Sequence, residues 1–307
     1  MDKPLVSIIT PCYNGEKYLD RYFASILHQT YPNLELIFIN DGSTDRTEEI
    51  AQGYRLPLEQ RGIQYICLSQ ENAGQAAALN RGLKLFTGEY LTWPDADDEM
   101  TPDCIEKKVA YLQAHPELQM VRSDGISLNQ DTGEKRGIAK EDDKYTQDVF
   151  EKLLLLSTYG CCGCYMITRE LLLACYPDRD FFISRAGQNW QILVPAASRS
   201  QCGYIDECLY TIYEHTDSHS RRQRTVEELY QRWEMFTEIL RHALKVSRCD
   251  YEKSLKLIEE NNARQQFYYA VSERDRAGLK RTMKALRAYG KPTTKESLLY
   301  VKCMLGG

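Results

Sequence analysis

Apolar and polar positions along the first hundred residues alternate between two periodicities. Short apolar runs of strand character occupy residues 5–10, 34–39, 63–68 and 90–93, and stretches with helical spacing lie near 15–29, 44–54 and 74–86, with another over 102–114. Strands separated by helices long enough to cross a sheet imply right-handed βαβ units. The expected fold is therefore α/β, a doubly wound and mostly parallel sheet flanked by helices. Further on the pattern is less regular. Residues 118–123 read as another strand, 129–134 as a polar turn, 140–148 as a charged loop and 149–157 as an apolar helix. Residues 225–246, 250–271, 274–289 and 294–304 read as helices, a helical C-terminal extension.

Ligands of such sheets bind beyond the carboxyl ends of the strands, and each of the first four strands ends in a polar cluster. The clusters are Pro11, Tyr13, Asn14 and Gly15; Asn40 to Asp45; Asn72, Gly74 and Asn80; and Asp95, Asp97 and Asp98. In an extended segment Asp95 and Asp97 point the same way, with Asp98 opposite. Crowded carboxylates cost Coulomb energy unless one takes a proton or a hard divalent cation supplies positive charge. A cation held by only one or two carboxylates keeps open positions, which suit phosphate oxygens. Each cluster also has a plain structural reading. Asn14-Gly15 and Asp41-Gly42 make ordinary turns, Thr44 is an N-cap, and Thr101-Pro102 opens a helix with Asp103 in its first turn. Together, an aromatic ring, an aspartate and an acidic metal site on one rim suit a nucleoside diphosphate. A dinucleotide-binding Rossmann domain is disfavoured because the first strand lacks the Gly-x-Gly-x-x-Gly loop, and a P-loop is missing too.

In this order, Pro11-x-Tyr13-Asn14, Asn40-Asp41-Gly42-Ser43, Asn72-x-Gly74 with Asn80, and Asp95-x-Asp97-Asp98 resemble the motifs of family 2 glycosyltransferases. The resemblance covers about the first 220 residues. It implies the GT-A fold and transfer of a sugar from a nucleotide-sugar, often a UDP-sugar, to a hydroxyl of a saccharide or lipid-linked acceptor, in surface polysaccharide or glycoconjugate synthesis. By the same resemblance Tyr13 stacks on the base, Asp41 hydrogen-bonds uracil, Asp95 lies near the ribose or donor sugar, and Asp97 binds Mn2+ or Mg2+. Tyr213-Glu-His215-Thr-Asp-Ser218 resembles the family's Tyr-Arg-x-His-x-x-Ser loop with Glu214 in place of arginine, and makes His215 a candidate for the metal or the diphosphate.

One departure bears on mechanism. Gln188-Asn189 stands where the family usually shows a Glu-Asp pair, whose aspartate takes the acceptor proton in inverting members. An amide cannot act as a general base. Either another group does that work, or the reaction differs, or the chain is a non-catalytic nucleotide-sugar-binding or scaffold protein. In an active variant Asn189 positions the acceptor while a carboxylate, with Asp178, Asp180 and Glu214 as candidates, or the donor phosphate receives the proton. Gln188 and Asn189 as caps of the helix carrying Trp190 fit any of the three.

Composition adds bounds. The 307 residues carry a net charge of −5. That total hides an asymmetry: residues 1–220 hold 20 Lys and Arg against 33 Asp and Glu, a balance of −13, while 221–307 hold 19 against 11, a balance of +8. The shift places a domain boundary near Ser220, between a nucleotide-sugar and acceptor domain and a basic extension. No nucleic-acid partner is expected. Leu279, Met283 and Leu286 form a stripe at helical spacing among Lys280, Arg281, Lys284, Arg287 and Lys291. Such a segment, 274–291, either lies on an anionic membrane surface or packs its stripe inward, and as a packing surface it is also a candidate for homo-oligomer contact. No signal peptide is recognised, and the longest apolar stretch, 153–156, is far short of the roughly 20 residues of a membrane span. A cytoplasmic protein, peripheral at most, is expected. The eleven cysteines, with Cys161, Cys162 and Cys164 clustered, then read as reduced packing residues rather than a zinc site.

Overall fold

The computed structural model describes residues 3–185, 187–214 and 225–305. Its first half follows the alternation of the sequence: β1 (Val6–Cys12), α1 (Leu19–Leu27), β2 (Leu34–Asp41), α2 (Thr47–Gly53), α3 (Arg55–Gln60), β3 (Gln64–Gln70), α4 (Gln75–Leu83) and β4 (Tyr90–Thr92). β1 and β2 are buried along their whole length and mostly apolar because both faces are covered, as expected of central parallel strands. The second half adds β5 (Glu99–Met100), α5 (Cys104–Ala114), β6 (Met120–Asn129), β7 (Lys135–Gly137), α6 (Phe150–Leu154), β8 (Tyr165–Thr168), α7 (Arg169–Cys175), α8 (Gln188–Ala197) and β9 (Cys202–Glu214).

These strands form one sheet in the order β3-β2-β1-β4-β8-β6-β9-β5, with β7 paired to β6. The mostly parallel expectation holds from β3 to β4, where Ile8 sits opposite both Leu36 and Thr92. Beyond β4 the sheet is mixed: β8 runs antiparallel to β4 and β6, β9 parallel to β6, and β5 antiparallel to β9. Strand order reverses direction between β1 and β4, since the chain winds outward from β1 to β3 and then returns to the other side of β1. Their carboxyl ends therefore flank a topological switch point, where a crevice opens beyond the sheet.

Several expected elements change at their edges. The helix read over 102–114 begins at Cys104 with Asp103 in the cap position, so Thr101-Pro102 precedes it, and the Thr101 hydroxyl donates to Asp103 (2.8 Å). The helix read over 149–157 is a five-residue turn that ends before Leu156, whose φ is +52°. β9 was not foreseen. Its register against β6 shifts between Ser123 and Gly125, and a β-bulge leaves Asp206, Glu207 and Cys208 exposed in mid-strand, which hides the period of two.

Four helices complete the chain: α9 (Val226–Val246), α10 (Tyr251–Ser272), α11 (Arg276–Tyr289) and α12 (Thr294–Leu305). Leu240, Ala243 and Leu244 of α9 and Ile258 of α10 belong to the main core. A second, smaller core joins Ala263, Phe267 and Ala270 of α10 to Leu279, Met283 and Leu286 of α11. The boundary expected near Ser220 falls in residues 215–224, outside those described. The apolar stripe of α11 is buried against α10, while Lys280, Lys284 and Arg287 are exposed. Of the two readings of 274–291, a membrane surface or inward packing, the apolar stripe takes the second. No helix among the described residues is long and apolar enough to cross a membrane.

This packing gives a direct contrast. Leu279→Ala empties a buried site and should cost about 2–5 kcal/mol. Leu298→Ala, at a position 67% exposed, should stay within about 0.5 kcal/mol. Chemical denaturation of the two variants measures both, and equal losses would contradict the orientation of α11 and α12.

Candidate functional site

The rim begins with two loops stitched together. Asn14 adopts a left-handed conformation (φ +52°), its backbone N–H donates to Ser43 Oγ (2.9 Å), and its side-chain oxygen accepts from Thr44 N (2.9 Å). Gly15 N donates to Thr47 Oγ1 (2.8 Å) and Glu16 N to Asp45 Oδ2 (3.1 Å). These bonds join the loops after β1 and β2. Asn14 is thus a scaffold residue, whereas Tyr13 beside it is left 48% exposed at the end of β1. Pro11 is buried within β1, opposite Ile39.

Asp41, buried at the end of β2, binds the turn between β3 and α4. Its Oδ1 accepts from Gln70 Nε2 (2.7 Å) and Ala73 N (3.0 Å), its Oδ2 from Gly74 N (2.8 Å), and its carbonyl from Asn72 Nδ2 (2.9 Å). Each carboxylate oxygen has two lone pairs, so these bonds leave one acceptor position on Oδ2. Gly74 is needed here because its φ is +92°.

At the end of β4 the chain turns through Asp95, Asp97 and Asp98, and four other elements hold that turn. From α4, Gln75 Nε2 donates to Asp95 Oδ1 (2.6 Å), and from the 3₁₀ turn Cys162–Cys164, the Cys162 thiol donates to Asp95 Oδ2 (3.1 Å). From β9, the Tyr210 hydroxyl accepts from Asp95 N (3.1 Å) and bonds the Asp98 carboxyl, which also accepts from Tyr213 N (3.1 Å). From α1, Arg21 donates to the Asp97 carbonyl and stacks on the Tyr213 ring at 3.4 Å. The Tyr213 hydroxyl in turn donates to Glu99 (2.6 Å). Burial, reinforced by the Asp97 charge, raises the Asp95 carboxyl to about 6 and pushes Asp98 well above the usual range. Burial and the Asp95 charge likewise raise the Cys162 thiol, which keeps it a neutral donor.

The donor set fits a hard divalent cation. The ligand atoms on offer are carboxylate oxygens, Asp97 keeps solvent access, and two neighbouring carboxyls bear a repulsion that added positive charge would relieve. No group of three or more His, Cys, Asp or Glu among the described residues is placed to hold a metal by itself, so the described residues alone would complete only part of a coordination sphere. His215 lies outside the described residues.

Asn189, in the first turn of α8, reaches the same turn from the other side. Its Oδ1 accepts from the indole N–H of buried Trp93 (3.1 Å), and its Nδ2 donates to the Gly160 carbonyl (3.1 Å). Both ends of the amide are therefore engaged with the scaffold. Gln188 is the first residue of α8, after Gly187 in a left-handed cap (φ +67°). The segment before α8 is pinned across the rim. The amide of Asn80 pairs with both backbone groups of Phe181 (2.8 and 3.1 Å), and Arg185 donates to Asn72 Oδ1 (2.9 Å).

Asp180 pairs with Lys84 (3.5 Å) just past α4, about 13 Å along that helix from Gln75 at 1.5 Å per residue. Asp178 is exposed after α7, and Glu214 accepts from Ser127 on β6. A groove of about 750 Å³ lined by Glu16, Asp20, Arg46, Glu49 and Tyr54 lies between α1 and the α2–α3 pair. Residues that sequence reasoning missed are Arg21, Gln75, Cys162, Arg185 and Tyr210, and Tyr213 was read only as the start of the loop to His215. They come from five segments far apart in the chain and carry no common spacing.

With this geometry in view, the model described as Glycosyl transferase family 2 matches residues 7–175, more than half of the chain. The chain belongs to that family. An uncharacterized glycosyltransferase of Rickettsia typhi is 35% identical over 170 residues, 55% of this chain and 51% of that protein. TuaG of Bacillus subtilis, whose name assigns it to teichuronic acid biosynthesis, is 38% identical over 110 residues, 36% of this chain and 42% of that protein. The chain thus matches about half the length of these relatives. Among solved structures, S. aureus TarS 1-349 in complex with UDP-GlcNAc gives a TM-score of 0.64 at 18% identity, covering 97% of this chain and 79% of that one. The mannosyltransferase PcManGT from Pyrobaculum calidifontis, in complex with GDP-Man and Mn2+, gives 0.61 at 18% identity, covering 99% and 80%. At such identities the likeness is one of fold, and the fold is that of GT-A glycosyltransferases.

The anchoring of Asn189 has a testable cost. Asn189→Asp keeps an acceptor for Trp93 but sets a carboxylate oxygen against the Gly160 carbonyl, and should destabilise the protein by about 1–3 kcal/mol. Urea denaturation measures this. An unchanged or raised midpoint would show that the amide is not committed to Gly160.

Proposed function

We propose that this chain is an active glycosyltransferase that moves a sugar from a UDP-sugar to an acceptor hydroxyl in the assembly of a surface polysaccharide or glycoconjugate. The observation that carries this reading is the acidic turn at the end of β4, set beside exposed Tyr13 and buried Asp41 across the switch point of the sheet. Tyr13 offers its ring to the base. The remaining acceptor position on Asp41 suits an imide N–H, which uracil presents. Asp95, held by Gln75 and Cys162, faces the ribose or the donor sugar. Asp97 holds Mn2+ or Mg2+, with His215 as a second ligand. When bound, the cation supplies the positive charge that a departing nucleoside diphosphate requires. Names of relatives and of fold neighbours support this reading: one relative is assigned to teichuronic acid biosynthesis, and TarS was crystallised with UDP-GlcNAc.

Asn189 in this reading is a positioning residue. It fixes Trp93 and so the acidic turn, and the acceptor hydroxyl binds beside it. Holding reactants in place contributes a large part of many rate enhancements, so an amide at this position is compatible with turnover. The engaged amide also favours the alternative, a nucleotide-sugar-binding scaffold without transferase activity. Transfer assays on wild type and Asn189→Asp separate the two: an active variant loses or keeps turnover on substitution, whereas a scaffold shows none until the aspartate is restored.

Donor binding can be tested without knowing the acceptor. UDP at 100 times its dissociation constant contributes about 2.7 kcal/mol of stability, so it should raise the melting temperature with Mn2+ present and not without it. Asp97→Ala should abolish that shift. Tyr13→Ala should weaken UDP binding by about 1–3 kcal/mol, the worth of a base-aromatic stack. A full metal-dependent shift in Asp97→Ala, or unchanged affinity in Tyr13→Ala, would contradict the assignment.

A further inference from the structure

The last described helix, α12, is apolar on two opposite sides. Its inner side carries Leu299, Tyr300 and Cys303, packed on the second core, and Glu296, which is fully buried and bonded to Arg264 and Thr293 N. At 100° per residue, Leu298, Val301 and Leu305 fall within a narrow stripe on the opposite side. They are 67%, 51% and 83% exposed. Lys295 and Lys302 flank this stripe along one edge, and Lys291 precedes it; all three are exposed.

The surrounding charge is one-sided. Residues 274–305 contain nine Lys and Arg against two acids, Asp275 and Glu296. Both acids are engaged inside the fold, Asp275 by Gly278 N and the Tyr230 hydroxyl (2.9 Å each) and Glu296 as above. An apolar stripe edged by lysines, next to a helix whose outer face is also basic, matches a surface that is apolar beneath and anionic above. A bilayer with anionic headgroups has that profile. A second copy of the chain fits poorly, since a two-fold interface would set the same lysines against one another. A nucleic acid would satisfy the lysines but leave Leu298, Val301 and Leu305 unburied.

We propose that α12 docks on an anionic lipid surface, with Leu298, Val301 and Leu305 entering the boundary between headgroups and acyl chains and Lys295 and Lys302 meeting the headgroups. The contact belongs to α12 rather than to the buried stripe of α11.

Co-sedimentation of the full chain with vesicles tests this. The chain should pellet with phosphatidylcholine vesicles containing phosphatidylglycerol at low salt, and not with phosphatidylcholine alone. Leu298→Ser with Val301→Ser and Leu305→Ser should reduce the partition coefficient at least about tenfold at unchanged net charge, and Lys295→Glu with Lys302→Glu should do the same. All five positions are exposed, and circular dichroism confirms that the variants fold. No sedimentation with acidic vesicles, or equal sedimentation of the serine variant, would overturn the proposal. So would a wild-type dimer, seen by sedimentation velocity without lipid and lost in the serine variant, because the stripe would then belong to a second copy.

Discussion

Three carboxylates within four residues, placed at the end of a central strand, repel one another, and much of the surrounding structure holds them there. Asp95 and Asp98 are each bound by donors from other elements: Gln75 on α4, Cys162 in its 3₁₀ turn, and Tyr210 and the Tyr213 backbone on β9. Arg21 on α1 fixes the Asp97 backbone from below and leans on Tyr213. Even so, burial and mutual charge leave the Asp95 and Asp98 carboxyls raised. Donors orient the turn without cancelling its charge, and the balance is left to a proton or a cation.

Around this turn the polar motif residues divide into two kinds. Asn14, Asp45, Asn80 and Asn189 spend their hydrogen bonds on other loops, so that segments remote in sequence meet at one rim. Asp41 does both, bracing the α4 turn while keeping one acceptor position. Tyr13 is exposed and Asp97 half-buried. An Asn or Asp in a motif of this kind therefore shapes the crevice at least as often as it faces the ligand.

That division also marks where the sequence was legible. Four apolar runs separated by helical spacing gave β1 to β4 and the rim they share, since buried parallel strands write a continuous signal. β9 was invisible because its bulge breaks the alternation, and with it went Tyr210 and the contacts of Tyr213. The inward stripe of α11 was readable, but whether it met protein or lipid depended on α10, which no local pattern reveals. At Asn189 the residue type alone excluded a general base. Its bonds to Trp93 and Gly160 required the fold. The basic character of the C-terminal helices was plain in the charge balance, whereas the second apolar side of α12 emerged only once burial separated Leu299 and Cys303 from Leu298 and Val301.

The central claim is that the acidic turn forms a metal-diphosphate site through Asp97. Anomalous diffraction from crystals grown with Mn2+ and UDP tests it most directly. The account predicts one strong manganese peak bonded both to the Asp97 carboxylate and to oxygens of the diphosphate, with the uracil ring against Tyr13. Bound UDP without manganese at that turn, or manganese held at a site remote from Asp97, would contradict it.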